Sequence, residues 1–198
     1  MKLIGLTGPT GSGKTFFCVI ARAFGIETVN ADTVARRVAA ESEVVDAVVA
    51  AFGQDILDGG IIDRKKLAHK AFSSPENTDL LNRTMLPFIV DQIRDMLGNS
   101  DAEYTVVDAP TLFESGLDSE CDYIISVISD RDVRRQRIIE RDGITDAEAE
   151  ERLSAAKPDE FFISRSTHVI FNNGDKDAFA EEAKNVIMSI LENRKEDE

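Results

Sequence analysis

A glycine-rich stretch near the N-terminus carries residues that can hold phosphate groups. It runs from Gly8 to Thr15 as GPTGSGKT, the phosphate-loop pattern of a glycine, four residues, a glycine, a lysine and a hydroxyl residue. Such glycines let backbone N–H groups turn toward phosphate oxygens, the lysine neutralises the β and γ phosphates, and the hydroxyl ligates Mg²⁺. The motif predicts a nucleoside triphosphate with Mg²⁺, held by Gly8, Pro9, Thr10, Gly11, Ser12, Gly13, Lys14 and Thr15.

Other motifs narrow the class of nucleotide-binding protein. The stretch from Asn172 to Asp175, NNGD, has no lysine where the base-reading motif of GTPases requires one. The chain contains no Leu-Ser-Gly-Gly-Gln run of transporter ATPases, and at 198 residues it is too short for most ring-forming motor ATPases. Small-molecule kinases remain as the predicted class.

Two aspartates can supply the carboxylates that a kinase needs. Asp32 follows the second predicted strand and Asp108 ends the third, and ligands of an open parallel sheet lie beyond the carboxyl ends of its strands. We predict that Asp32 orients or deprotonates the acceptor hydroxyl, with helix capping as its alternative role. Asp108 is predicted to hold Mg²⁺ through water, or else to be a turn residue at the strand end.

Five arginines fall in one short stretch, which an acidic protein can use to handle a small polyanion. In a kinase, arginines on a mobile lid stabilise the charge of the migrating phosphoryl group. Arg137 and Arg141 are four residues apart and share a helix face, so we predict that these two act on the phosphates. The others, predicted to be surface residues or a solvated helix face, are Arg131, Arg134 and Arg135.

The elements that must position these residues alternate between strands and helices. Apolar runs predict strands at Leu3–Leu6, Glu27–Asn30, Thr105–Asp108, Tyr123–Ser129 and Thr167–Phe171. Periodicity and capping residues predict helices at Thr15–Phe24, from Asp32 to about Ala40, from Thr145 with a capping box to Glu148, and from about Asp177 to Leu191. This alternation indicates an α/β fold with a five-stranded parallel sheet and helices on both faces.

More than seventy residues separate the second and third predicted strands, far more than a crossover needs. They are predicted to be helical, and to bind a second substrate or else to form a structural cover. Pro87 is predicted to divide the last helix because proline cannot donate an interior helix hydrogen bond. The predicted helices are Glu43–Phe52, Arg64–Phe72 after a turn at Gly59-Gly60, Glu76 to about Met85, and Phe88–Leu97.

Composition excludes several function classes. The 23 basic and 37 acidic residues give a net charge of −14, which argues against general nucleic-acid affinity because that affinity requires basic side chains. No apolar run is long enough to predict a membrane helix or a signal peptide. Two cysteines and two histidines indicate neither a disulfide framework nor a metal cluster, and a reducing cytoplasm is the predicted compartment.

Along nearly its whole length the chain resembles the dephospho-coenzyme A kinase family. The phosphate loop is shared with many kinases, so the specificity of the resemblance depends on the later segments taken together. The similar segments are Leu6–Lys14, Asn30-Ala31-Asp32 with Ala35-Arg36, Ile62–Leu67, Phe72–Pro75, Leu81-Asn82, Asp108-Ala109-Pro110 with Leu112-Phe113-Glu114, Gln136-Arg137, Arg141-Asp142 with Thr145, and Val169-Ile170 with Asn172-Asn173-Gly174.

The resemblance implies transfer of a phosphoryl group from ATP to the ribose 3′-hydroxyl of dephospho-coenzyme A. It implies the strand order 2-3-1-4-5 and one kinase domain, with a core at about 1–31, 102–130 and 165–198, an acceptor-binding insertion at about 32–101 and a lid at about 131–164. Lys14, Asp32 and Arg141 would be catalytic. ATP would also contact Arg137 and, by its adenine, Asn172, and the acceptor would contact Asp32, Arg36, Arg64, Pro87 and Pro110.

The chain departs from the family pattern at three positions. Leu86 precedes Pro87 where histidine is usual, Thr111 replaces a leucine, and Ala156 stands where glutamine is common. Two other functions remain open from the sequence: a phosphate-loop kinase that acts on another nucleotide or small metabolite, and a nucleotide-binding module without catalysis. Intact Lys14 and Asp32 favour catalysis over the second of these.

Overall fold

The computed structural model describes residues 1–192. The strands are β1 (Lys2–Thr7), β2 (Glu27–Asn30), β3 (Leu57–Asp58), β4 (Ile61–Ile62), β5 (Tyr104–Asp108), β6 (Tyr123–Ile128) and β7 (His168–Phe171). All but β3 and β4 form one five-stranded sheet in the order β2-β5-β1-β6-β7. In chain order this is the predicted 2-3-1-4-5, and the pairings of β1 with β5, β1 with β6 and β6 with β7 are parallel.

The described residues also form ten α-helices. They are α1 (Lys14–Ala23), α2 (Ala31–Val38), α3 (Ser42–Phe52), α4 (Arg64–Ala71), α5 (Pro75–Gly98), α6 (Leu112–Ser115), α7 (Arg131–Asp142), α8 (Asp146–Ser154), α9 (Asp159–Ile163) and α10 (Lys176–Glu192), with 3-10 turns at Gln54–Ile56 and Leu117–Glu120. Every residue of β5 is buried, so both faces of the sheet are covered, as is usual for parallel strands. The predicted fold class is confirmed.

The chain forms two compact units. The first consists of Met1–Thr28, Ala102–Leu112 and the described residues from Asp118 on, and the second consists of Val29–Asp101 and Phe113–Leu117. The second unit covers the predicted insertion and adds residues 29–31 and 113–117, which the sequence did not indicate. The assignment of acceptor binding to the insertion and of a lid to residues 131–164 stays a prediction.

The core of the first unit joins β1 to the helices α1 and α10. Leu6 and Phe17 are fully buried there, and α10 contributes the apolar side predicted from its 3.6-residue spacing, including Phe179 and Ile187. Gly25, at φ 77°, follows the predicted end of α1 at Phe24. This packing holds the N-terminus of α1 at the end of β1, where the phosphate loop lies.

The segment predicted as a lid contains three helices rather than two. The predicted capping box is present, because Thr145 accepts from the Glu148 N–H and the Glu148 carboxylate accepts from the Thr145 N–H. Ile138 of α7 packs with Ala149 and Leu153 of α8. The third helix, α9, is only five residues long, too short to leave a periodic pattern in the sequence.

The second unit is built around the long helix α5. Helices α2, α3 and α4 all pack against it. The predicted turn at Gly59-Gly60 is a two-residue hairpin loop between β3 and β4, and both glycines have positive φ. Among the described residues, no helix is long and apolar enough to cross a membrane.

Two predictions about this unit are wrong. Pro87 does not divide α5, which runs unbroken for 24 residues, because packing against three helices stabilises it despite one missing hydrogen bond. Asp32 does not cap α2. The cap is Asn30, whose side-chain oxygen accepts from the Thr33 N–H at 2.9 Å, and Asp32 lies in the first turn, where its negative charge favours the helix.

Candidate active site

The phosphate loop connects the buried strand β1 to the first turn of α1. Gly8, Gly11 and Gly13 all have positive φ, a conformation that other residues rarely adopt. A Cβ atom on Gly8 would lie 2.2 Å from the carbonyl oxygen of Val127, and one on Gly13 would lie 2.2 Å from Nδ2 of Asn172. The loop is therefore a tightly fitted glycine turn at a helix N-terminus, a geometry that binds anions.

Lys14 lies over this loop. Its ammonium donates to the carbonyl oxygens of Gly8 at 2.7 Å and Pro9 at 3.1 Å. These hydrogen bonds hold the positive charge of Lys14 against the backbone of the loop. The structure thus places the predicted cation at the predicted anion site.

Two oxygen groups suited to Mg²⁺ lie in the same unit. Thr15 is exposed in the first turn of α1, and Asp108 is buried at the last position of β5. The strand register pairs Asp108 with Leu6, two residues before Gly8, so this carboxylate lies beside the strand that enters the loop. Hydroxyl and carboxylate oxygens are ligands that Mg²⁺ prefers, and Mg²⁺ takes its other ligands from nucleotide phosphates and water. These residues fit the ion.

Cys18 is a buried residue of α1, the helix that follows the loop. Burial, and then the charge of Asp108, raise the pKa of the Cys18 thiol to about 12. A protonated thiol is a poor nucleophile and a poor metal ligand. Among the described residues, no group of three or more His, Cys, Asp or Glu side chains could hold a metal ion.

Arg137 is brought to the loop by α7. Its guanidinium lies 3.4 Å from the carbonyl oxygens of Gly11 and Ser12 and donates at 3.1 Å to both Ser129 Oγ and Asn172 Oδ1. Burial lowers the pKa of Arg137, although an arginine stays protonated under all ordinary conditions. Of the clustered arginines, this one is shown beside the phosphate loop.

The prediction that Arg134 is a surface residue is wrong. It is only 6% exposed, and its guanidinium pairs with Asp159 of α9 at 3.2 Å. Helix α9 was not predicted from the sequence. The pairing of Arg134 with a carboxylate from this helix was therefore not predicted either. Arg131 and Arg135 do lie at the surface, where they pair with Glu150 and Asp146 of α8.

Arg141 lies at the exposed end of α7 and forms a double hydrogen bond to the neighbouring Asp142, at 2.7 and 2.9 Å. Arg152 contacts the same carboxylate at 2.6 Å. The Arg141 hydrogen bonds, followed by its charge and by Arg152, lower the pKa of Asp142 to about 2. Arg141 therefore lies in the segment that is predicted to be a lid, bound to a carboxylate.

The Asp142 carboxyl gives a test of this pairing. Its folded pKa of about 2 lies below the ordinary value of 3.8, so the pairing favours the folded state above pH 3.8 and loses that effect as pH falls toward 2. In Arg141→Gln we expect the pKa of Asp142 to rise toward 3.8, with Arg152 retaining part of the shift. An NMR titration of the Asp142 carboxyl carbon measures it. Arg135→Gln is the control and should leave that pKa unchanged, and a value still near 2 in Arg141→Gln would contradict the pairing.

In the second unit, Asp32 and Arg36 share a face of α2. They are one turn apart, both are exposed, and Arg36 donates to Thr33 Oγ1 at 3.0 Å. Because Asn30 caps the helix, the Asp32 carboxylate has no capping role. Its place at the end of β2 is the one predicted for a group that meets an acceptor.

A cavity of about 660 Å³ lies within the second unit, between α5 and the stretch 113–117. Pro87 lines it together with Asn82, Arg83, Arg94 and Glu114. Leu86, at the position where histidine is usual, also lines it and adds an apolar wall. Asp79 and Asp91 line it as well, so the wall combines apolar, basic and acidic side chains.

The remaining predicted acceptor residues lie elsewhere. Arg64 is exposed at the first position of α4, after the cap Asp63. Pro110 is exposed in the first unit, and its carbonyl oxygen lies 3.5 Å from Thr7 Oγ1. The structure does not join either of them to the cavity.

Sequence reasoning missed Ser129. This residue follows β6, is fully buried, and donates to the Ser12 carbonyl oxygen at 3.2 Å. A signal was available, since the rule that singled out Asp32 and Asp108 applies to any polar residue at the carboxyl end of a strand in this sheet. We applied the rule to carboxylates alone.

Known proteins are similar to this chain over most of its length. The family model of dephospho-CoA kinase matches residues 2–178. A dephospho-CoA kinase of Corynebacterium glutamicum is 36% identical over 96% of this chain and 98% of its own length, and one of Arabidopsis thaliana is 37% identical over 96% and 84%.

Solved structures of other proteins are similar to this fold. A dephospho-CoA kinase from Campylobacter jejuni superposes with a TM-score of 0.69 at 25% identity, over 98% of this chain and all of that one. The protein TT1252 from Thermus thermophilus reaches 0.83 at 27% identity, over 96% of this chain and 97% of its own. A shikimate kinase from Bacteroides thetaiotaomicron, at 16% identity and a TM-score of 0.54, shares the fold. The chain belongs to the dephospho-CoA kinase family.

Proposed function

We propose that this chain phosphorylates the ribose 3′-hydroxyl of dephospho-coenzyme A with ATP, giving coenzyme A and ADP. The observation that carries the proposal is the family match over residues 2–178, which includes both the phosphate loop and the helical insertion. The loop accounts for the nucleotide. The insertion, with its cavity beside Pro87, accounts for an acceptor larger than a simple metabolite.

The phosphate loop holds the triphosphate of ATP. Backbone N–H groups of the loop from Gly8 to Thr15, other than at Pro9, surround the phosphates, and Lys14 neutralises the charge that develops on the transferred group. Mg²⁺, held by Thr15 and through water by Asp108, would supply further neutralisation of the phosphate oxygens. Arg137 brings a guanidinium to the same loop, and Arg141 comes to the phosphates from the lid segment.

The acceptor hydroxyl meets the Asp32 carboxylate. Asp32 orients this hydroxyl and accepts its proton as the oxygen attacks the γ phosphorus, and ADP leaves. Arg36, one turn further along α2, binds an anionic group of the acceptor. Arg64, Pro87 and Pro110 contact the rest of it.

We place this activity in the cytoplasm, since that compartment supplies the ATP that the reaction consumes. The protein does not act on nucleic acid in this proposal, because its net charge of −14 opposes a general affinity for phosphate backbones.

The decisive experiment is an acceptor-dependence assay. Purified protein with ATP and Mg²⁺ should release ADP only after dephospho-coenzyme A is added, and phosphate should appear on the 3′-oxygen of the product by ³¹P NMR. Chelation of Mg²⁺ should abolish the reaction. Equal ADP release with nucleoside monophosphates would favour a different kinase, and ATP binding without transfer to any acceptor would favour a binding module.

A further inference from the structure

The side chain of Asn172 is occupied by protein groups rather than presented to a ligand. Asn172 follows β7 and is only 6% exposed. Its Nδ2 donates to the Ser12 carbonyl oxygen at 2.7 Å, and its Oδ1 accepts from Arg137 at 3.1 Å. Both ends of the amide are therefore engaged with the phosphate loop and with the arginine beside it.

Three side-chain atoms lie within hydrogen-bond distance of the Ser12 carbonyl oxygen. They are Asn172 Nδ2 at 2.7 Å, Ser129 Oγ at 3.2 Å and Arg137 at 3.4 Å. Ser129 Oγ also lies 2.8 Å from the Asn172 carbonyl oxygen, so it links the ends of β6 and β7 to the loop. We call these four residues, Ser12, Ser129, Arg137 and Asn172, the Ser12 cluster.

Holding this carbonyl fixes the direction of a neighbouring donor. The Ser12 C=O and the Gly13 N–H belong to one planar trans peptide, so they point in opposite directions. The Ser12 oxygen points toward the other residues of the Ser12 cluster, so the Gly13 N–H points away from them. It lies at the N-terminus of α1, where anions bind. The absence of a side chain on Gly13 is what admits the Asn172 amide, because a Cβ there would lie 2.2 Å from Nδ2.

We propose that Asn172, supported by Ser129, is a positioning residue of the ATP site: it aims the Gly13 N–H at the phosphates and holds the Arg137 guanidinium beside the loop, instead of contacting the adenine base. The inference rests on one part of the proposed function, namely that the phosphate loop binds ATP. It revises the role that the family resemblance implied for Asn172.

The test compares ATP with tripolyphosphate, a ligand that has phosphates and no base. Equilibrium binding of each, with Mg²⁺, is measured for wild type, Asn172→Ala and Asn172→Asp. We expect Asn172→Ala to weaken both ligands by the same factor, about tenfold, because it removes one hydrogen bond to a charged group and one to the loop. Asn172→Asp keeps an acceptor for Arg137 but offers no donor to Ser12, so both ligands should still bind more weakly than to wild type.

Two further variants complete the design. Ser129→Ala should weaken the binding of both ligands about threefold. It replaces Asn172→Ala in the comparison if Asn172→Ala melts at a much lower temperature than wild type. Asn99→Ala, at the exposed end of α5, is the matched control and should leave both affinities unchanged. In turnover assays, the KM for ATP should rise in Asn172→Ala and that for dephospho-coenzyme A should not.

The outcomes separate clearly. Weaker ATP binding with unchanged tripolyphosphate binding would show a base contact and overturn the inference, as would wild-type affinity for both ligands. The binding assay contains no dephospho-coenzyme A, so a protein that phosphorylates another acceptor would overturn the proposed function and leave this result standing.

Discussion

Asp32→Asn is expected to lower kcat by about 10² to 10⁴, the usual contribution of a positioned general acid or base. Asparagine has nearly the same shape and still hydrogen bonds, but it cannot take the proton from the acceptor hydroxyl. The affinity for ATP should stay within about twofold of wild type, because the phosphate loop is unchanged. Steady-state kinetics with dephospho-coenzyme A, together with ATP binding, measure both quantities.

The matched control for Asp32 is its neighbour Asn30. Because Asn30 caps α2, Asn30→Ala should reduce the free energy of unfolding by about 1 kcal/mol. Asp32→Ala removes no cap, so its melting temperature should fall less than that of Asn30→Ala, while its turnover should be as low as that of Asp32→Asn. Wild-type turnover in Asp32→Asn would remove this residue from the mechanism.

Lys14→Ala is expected to lower ATP affinity by about tenfold and kcat by about 10² to 10³. The ammonium meets both the bound nucleotide and the charge that develops during transfer, so turnover loses more than binding does. Isothermal titration of ATP and steady-state kinetics give the two values. Lys14 also donates to the Gly8 and Pro9 carbonyl oxygens, so a small fall in melting temperature should accompany these losses.

Lys184→Ala is the control for Lys14. It also removes a lysine from a helix, but Lys184 lies on α10 and pairs only loosely with Glu181, at 3.6 Å. Its affinity and turnover should match wild type. If Lys14→Ala kept wild-type turnover while Lys184→Ala did so too, Lys14 would have no catalytic role.

Local patterns in the sequence predicted most of the sheet and the phosphate loop. The strand β5, YTVVD, is short and fully buried, and the loop from Gly8 to Thr15 can be recognised from its own glycines, so both patterns are local. The strand order came from the family resemblance. Neither the local patterns nor the family resemblance required knowledge of contacts between residues distant in sequence.

The errors arose where a distant residue decides the outcome. Arg134 looks like a surface residue until α9 brings Asp159 to it from 25 positions away. Pro87 looks like a helix end until three other helices support α5. The cap of α2 was a different kind of error, since Asn30 and Asp32 are both good caps and only the backbone conformation at position 30 decides between them.

The register of the central strand pair also bears on how the chain folds. Lys2 pairs with Tyr104, so the middle of the sheet forms only when residues about a hundred positions apart meet. Closing a flexible chain of that length costs roughly 4 kcal/mol of loop entropy. Helices α2, α3 and α4 pack on α5 through contacts much closer in sequence. If these helices assemble first, they shorten the flexible segment, and the insertion then speeds formation of the sheet that it interrupts.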